Sequence, residues 1–218
     1  MNPKVSMSNL SRCVLVGAES LLIQCGLLLE QRGVSIAAVV SGAAAIRQWA
    51  GQRGCRVFAD ADALAAATDL APFDHLFSIT HLAVLPAEVL ALPTRAAINF
   101  HDGPLPAYGG LNTPVWALLN DERRHGISWH LMTDRVDSGA VLMRREIEVS
   151  PTDTALTLNT KCFEAGIDSF AELIELLERE PLAVLAPAQP PERCYSRRDR
   201  PASACAVDWV QPAQRISF

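Results

Sequence analysis

From residue 13 to residue 100, short apolar runs alternate with helical patterns, a rhythm that few architectures besides a parallel sheet wrapped by helices accept. The runs at 13–16, 34–40, 56–58, 75–79 and 96–100 carry the β-branched and aliphatic residues of buried strands. Between them lie a helical stretch over 21–31, with Ser20 placed to cap it and Gly33 to stop it, an Ala-rich one through Trp49, and short ones over 61–67 and 86–90. Parallel strands need crossovers of this kind. The pattern therefore predicts an α/β fold with a doubly wound, Rossmann-like, mainly parallel sheet and helices on both faces.

Past residue 101 the texture changes. Gly103, Pro104, Pro106, Gly109 and Gly110 crowd together too densely for regular structure, so a long loop is expected. A helix over 113–120, strands over 126–132 and 141–149 and a long helix over 154–178 follow. Leu156, Phe163, Ile167, Phe170, Ile174 and Leu177 give that last helix an apolar stripe. From 181 onward Pro, Arg and Ala dominate without periodicity. The chain thus divides into a globular domain over 1–180 and an extended tail or linker over 181–218, leading toward a further C-terminal domain.

A length of 218 residues allows one α/β domain with a tail. The net charge of −5 and the lack of any basic run longer than a pair such as Arg197-Arg198 disfavour nucleic acid and anionic membrane as primary partners. No apolar stretch approaches the roughly 20 residues of a bilayer span, and the first ten residues hold no signal-peptide core, so a soluble, cytoplasmic protein is expected. Six cysteines stand far apart without a Cys-x-x-Cys pair, which predicts core thiols and no metal site. The turn Gly17-Ala-Glu-Ser20 is not a dinucleotide fingerprint, and the chain has no phosphate-binding Gly-x-x-x-x-Gly-Lys loop; dinucleotide and ATP binding are disfavoured.

Asn99 and His101 are polar residues on an otherwise buried strand. Two apart on extended chain, they project to one face, and they stand at the carboxyl end of the last parallel strand, where open α/β sheets keep their ligand crevice. An amide donor beside an imidazole suits acyl chemistry, one holding an oxyanion while the other moves protons. The plainer reading makes Asn99 a turn former and His101 a ring satisfied by a backbone carbonyl. Asp137, before Ser138-Gly139, is by its residues alone either a turn residue or part of a site. His130 either lines a cleft or is a core histidine.

As a set, Asn99-Phe-His101, the Leu-Pro loop with its glycines, the Ala-Leu-Leu-Asn helix at 117–120, His125-Gly-Ile-Ser-Trp-His130 and Asp137-Ser-Gly139 occur in the order and spacing of the formyltransferases that use 10-formyltetrahydrofolate. The chain resembles that family over 12–218, most densely over 98–139. The family's loop after the histidine commonly reads Pro-Ser-Leu-Leu-Pro or Gly-Ser-Leu-Leu-Pro; here it reads Asp102-Gly-Pro-Leu-Pro106. The resemblance implies a catalytic set of Asn99, His101 and Asp137 and a tetrahedral intermediate, with His130 and Asp102 outside the set. It implies 10-formyltetrahydrofolate as donor, no metal, and a pterin slot built from Leu82, Val84, Leu85, Leu90, Thr133, Asp134 and Val136. The acceptor it implies is a primary amine on a small molecule or a carrier, with a tRNA left open. The stretch from Cys194-Tyr-Ser-Arg-Arg198 to Trp209 is similar to members acting on nucleotide sugars or methionyl-tRNA, and suggests fusion to downstream domains, as at the front of a peptide synthetase. Two rival readings are a formyltetrahydrofolate hydrolase and a catalytically silent docking domain.

Overall fold

The computed structural model describes residues 9–179, 182–201 and 209–210. The elements, in chain order, are β1 (Arg12–Gly17), α1 (Ser20–Gln31), β2 (Ser35–Val40), α2 (Ala44–Gln52), β3 (Arg56–Phe58), α3 (Ala61–Ala65), β4 (His75–Ile79), α4 (Ala87–Leu90) and β5 (Ala96–His101). They continue with β6 (Gly109–Gly110), α5 (Thr113–Leu119), β7 (Arg124–Leu131), β8 (Val141–Glu148), α6 (Ala155–Leu177) and β9 (Cys194–Tyr195). Seven strands form one sheet in the order β3-β2-β1-β4-β5-β7-β8. The first five pair in parallel; β7 and β8 run antiparallel to their neighbours. The expected Rossmann-like, mainly parallel sheet is present, with helices on both faces.

Alternation along the strands sorts the core. Cys13 and Leu15 of β1, Phe77 and Ile79 of β4 and Ile98 and Phe100 of β5 pack under α1, α2, α5 and α6. Val14, Val16, Leu76 and Ala97 point the other way, under α3 and α4. Those two helices have only five and four residues, against 23 in α6. The cover on that face therefore ends early. The next side chains in the alternating series, Ser78, Asn99 and His101, emerge where no helix lies over them.

Helix α6 starts at a reciprocal cap between Thr154 and Thr157 and comes close to β5 at Gly166, where a β-carbon would stand 2.8 Å from the Phe100 ring. Its buried face is Leu158, Cys162, Gly166, Ser169, Phe170, Leu173, Ile174 and Leu177. The stripe expected from sequence differs at its start: Leu156 is 75% exposed, while Leu158 in the same turn is fully buried and takes the core-facing place. Ser20 likewise is not the cap of α1; Glu19 holds that position, without a side-chain capping bond. Cys13, Cys25 and Cys162 are core thiols, whereas Cys55 is half-buried and Cys194 is exposed.

The segment after α6, expected as a linker, lies against the domain. The Leu185 and Ala186 amides donate to the Val141 carbonyl, which has its own amide on Ala186, and β9 pairs with β6. Tyr195 stacks on Trp116 at 4.2 Å between ring centres, and the Arg193 guanidinium sits over Tyr108. Of the stretch from Cys194 to Trp209 singled out from sequence, residues 202–208 fall outside the described residues.

One polar tie joins sheet to helix within this core. The Trp129 indole N–H donates to Ser169 Oγ at 2.9 Å, and both residues are fully buried. Ser169→Ala is expected to lose about 1–3 kcal/mol of unfolding free energy by urea titration, since it strands a buried donor. Trp129→Phe/Ser169→Ala should lose less than the two single losses added; strict additivity would show that the bond contributes nothing.

Candidate active site

The cleft opens at the carboxyl ends of β1, β4 and β5 and has a volume of about 820 Å³. The antiparallel register of β5 against β7 sets its floor, with Asn99 opposite His130 and His101 opposite Ser128. Directly opposed residues share a face, so both histidines and the amide turn into the same space. The turn between β7 and β8 then brings Asp137 over them. Its φ of +48° is a left-handed conformation that aspartate tolerates better than most residues.

Each ring is oriented by a backbone carbonyl. His101 Nε2 lies 2.8 Å from the Tyr108 carbonyl oxygen, so Nε2–H donates there and Nδ1 faces the carboxylates of Asp137 at 3.6 Å and Asp102 at 3.8 Å. His130 Nδ1–H donates to the Leu131 carbonyl at 2.9 Å. In the neutral ring its Nε2 then accepts one N–H of Asn99 at 3.2 Å, which leaves the second N–H of that amide to the cleft. Asp137 Oδ1 stands 3.4 Å from His130 Nε2, which donates to it only when the ring is protonated, while Oδ2 accepts the Gly110 N–H at 2.7 Å.

The loop that supplies Tyr108 and Gly110 is held by β7 and α5. Ser128 Oγ–H donates to the Gly103 carbonyl and accepts the Leu105 N–H, both at 2.9 Å. Thr113 Oγ1–H and the His125 ring both donate to the Asp102 carbonyl. A β-carbon at Gly103 would come within 2.6 Å of His101 Nε2 and 2.7 Å of the Tyr108 oxygen, so the loop closes on the histidine only with glycine there. Cleft-facing His81 and buried His125 have pKa values pushed down by burial, and neither holds a charge easily.

Burial acts on Asp137 too and would raise its pKa. The His130 ring, the positive charge His101 can carry and the Gly110 N–H outweigh it and hold the carboxyl at about 2. Asp137 is thus an anion across the neutral range and a poor base.

Of the residues named from sequence, Asn99, His101 and Asp137 come together, and Leu82, Val84, Leu85, Thr133 and Val136 line the cleft. Leu90 does not; on α4 it packs inward against the core under α3 and α4. Asp134 is not on the lining either, standing exposed on the turn between Thr133 and Arg135, which are. His130 belongs to the cluster. Sequence reasoning also missed Glu19, Ser78, Asn112, Asn159, Tyr195 and Arg197, all on the lining. For Asn159 a signal existed, a polar residue inside an amphipathic helix; Tyr195 and Arg197 lie in the stretch over 194–198 that carried the family resemblance, which singled out neither side chain.

An open α/β sheet whose carboxyl edge presents an amide donor, an imidazole fixed by a carbonyl and a buried carboxylate defines an acyl-transfer class of site. A sequence profile described as "Formyl transferase" matches residues 59–174, and the chain belongs to that family. The fold is shared with solved structures at low identity. An N-formyltransferase from Helicobacter canadensis, in complex with folinic acid and dTDP-3-aminofucose, superposes with a TM-score of 0.75 at 17% identity, covering 95% of this chain and 78% of that one. Glycinamide ribonucleotide transformylase 1 from Symbiobacterium toebii gives 0.71 at 20% identity over 82% of this chain and 95% of that one. HypX from Aquifex aeolicus in complex with tetrahydrofolic acid gives 0.71 at 19% identity, over 94% of this chain but 32% of its own.

The depressed pKa of Asp137 has a direct consequence for stability. Its folded value of about 2 lies below an unfolded value of about 3.9, so its contribution is fully present above pH 5 and is lost as the pH falls toward 2. Asp137→Asn keeps the turn conformation and is expected to lose about 2 kcal/mol in urea unfolding at pH 7, with the two proteins converging near pH 2. A loss of equal size at both ends of that range would mean that the charge is not what stabilises the turn.

Proposed function

We propose that the protein transfers the formyl group of 10-formyltetrahydrofolate to a primary amine, within a catalytic domain over 1–180. The observation that carries this reading is the convergence of Asn99, His101 and Asp137 at the floor of a cleft with apolar residues in its lining. Leu82 and Val84 of that lining are each 68% exposed and Val136 is 46% exposed, which is costly on a free surface and suits a flat pterin. Folinic acid and tetrahydrofolate in two of the structural neighbours support the same donor.

The amine must attack in its neutral form. The developing oxygen charge is met by the cleft-facing N–H of Asn99, a donor whose loss in comparable sites costs roughly 3 kcal/mol of barrier. His101, with Nε2–H committed to Tyr108, offers the Nδ1 lone pair to the proton the amine releases. Asp137 is too weak a base for that step, so its part is to hold the imidazolium that forms, with Asp102 on its other side. The new carbon–nitrogen bond forms, the bond between the formyl carbon and N10 breaks, and His101 returns its proton to N10. The products are a formamide and tetrahydrofolate.

A multidomain setting is part of the proposal. HypX spans about three times the length matched here, so the fold occurs inside longer chains, and a peptide synthetase with a leading formylation domain is one such arrangement.

Titrating folinic acid by calorimetry should give saturable binding. Asp137→Asn, His101→Ala and Asn99→Ala should each slow tetrahydrofolate release in an amine screen by about two to four decades while folinic acid affinity changes far less, and double variants should lose less than the sum. Formate released at the same rate with and without amine would overturn the transferase reading. Normal turnover in Asp137→Asn would reduce Asp137 to a turn residue.

A further inference from the structure

The carboxylate of Asp102 has capacity that the chemistry above does not use. Asp102 directly follows β5 and belongs to the cleft lining, and its Oδ1 stands 3.8 Å from His101 Nδ1, the ring atom offered to the acceptor amine. The backbone beneath it is fixed, because the Asp102 carbonyl accepts Thr113 Oγ1–H at 2.6 Å and the His125 ring at 2.7 Å. Thr113 Oγ1 also lies 3.2 Å from Asp102 Oδ1, but its single proton goes to the nearer carbonyl. Among the described residues the carboxylate has no other hydrogen-bond donor and no Lys or Arg partner.

Asp137, the second carboxylate near the same ring atom, is in the opposite condition. Its side chain is 10% exposed against 29% for Asp102, and both its oxygens are engaged, one facing His130 Nε2 and the other accepting the Gly110 N–H. A half-buried carboxylate without a protein donor must take its hydrogen bonds from water or from a ligand. Asp102 is therefore the one of the two with acceptor sites open to a substrate.

The spacing suits one kind of donor. A nitrogen atom can lie about 2.9 Å from both His101 Nδ1 and Asp102 Oδ1, because two such distances together exceed the 3.8 Å between those atoms. A neutral primary amine brings two N–H groups and one lone pair. Resting on the formyl-transfer reading, we infer that Asp102 fixes the attacking nitrogen and selects primary amines: one N–H donates to His101 Nδ1, the other to Asp102 Oδ1, and the lone pair is left for the formyl carbon. As the new carbon–nitrogen bond forms and the bond from the formyl carbon to N10 breaks, the proton on the His101 side passes through Nδ1 to N10. The N–H held by Asp102 stays on nitrogen and becomes the N–H of the formamide. A secondary amine has one N–H, which His101 takes; its second alkyl group then turns toward Asp102 and displaces water from the carboxylate without replacing the hydrogen bond.

The test uses the full chain with 10-formyltetrahydrofolate and two probe amines, methylamine and dimethylamine, with kcat/KM for each read from tetrahydrofolate release and from the mass of the formamide. Wild-type protein should favour methylamine by at least about tenfold. Asp102→Asn, which keeps an acceptor oxygen, should hold most of that preference. Asp102→Leu, which keeps the bulk and accepts nothing, should bring the two amines within about threefold of each other. Each preference is a ratio within one protein, so a smaller folded fraction in a variant cancels. Folinic acid affinity should be the same in all three proteins. Wild-type protein that shows no preference, or that binds folinic acid and formylates neither amine, overturns the inference and leaves formyl transfer standing. An undiminished preference in Asp102→Leu does the same, since crowding alone would then account for it. Failure of the wild-type protein to bind folinic acid would remove the formyl-transfer reading itself.

Discussion

The antiparallel pairing of β5 with β7 is the constraint on which the site depends. Up to β5 the sheet is parallel and its strands end together, which yields a crevice but few side chains to furnish it. Reversing direction at β7 brings a second strand back through the crevice floor, so that His130 faces Asn99 and Ser128 faces His101. The same strand fixes the following loop through Ser128 and His125. Asp137 lies on the turn where β7 leads into β8. One change of strand direction therefore assembles amide, rings, carboxylate and the loop that aims them.

What the sequence makes legible and what it hides follow from how far each interaction reaches. Asn99 and His101 could be read because a period of two and a strand end are local facts, and the parallel core because its apolar runs are continuous. The part played by His130 depends on which residue it opposes across two strands, and register between strands distant in sequence leaves no mark in either. The docking of 182–201 is carried by main-chain hydrogen bonds and ring stacking, neither of which has a period. Leu156 misled because Leu156 and Leu158 are both apolar and the first turn alone does not say which of them faces the core. Leu90 misled in the opposite sense, its stretch being right and its face wrong.

Polar groups at the floor are satisfied unevenly, and the unevenness is chemical. Nε2–H of His101, Nδ1–H of His130 and one N–H of Asn99 are committed within the protein, while Nδ1 of His101 and the other N–H of Asn99 face the cleft. On the proposed reading a base and a donor are thus held with their orientations already fixed, which would spare the reaction the reorganisation that water requires. The left-handed turn at Asp137 and its low pKa are the costs and supports of keeping an anion beside them.

The pairing of β9 with β6 makes the site dependent on a part of the chain that the hydrophobic core does not need. Gly110, whose N–H holds Asp137, is bracketed on its other side by a two-residue strand that is itself half-buried to exposed. Segments held this way open in partial unfolding events of lower free energy than the global transition. Such an opening would release the carboxylate from its amide while the seven-stranded sheet stayed intact. The working lifetime of the site is then set by the peeling of a strap rather than by the stability of the domain.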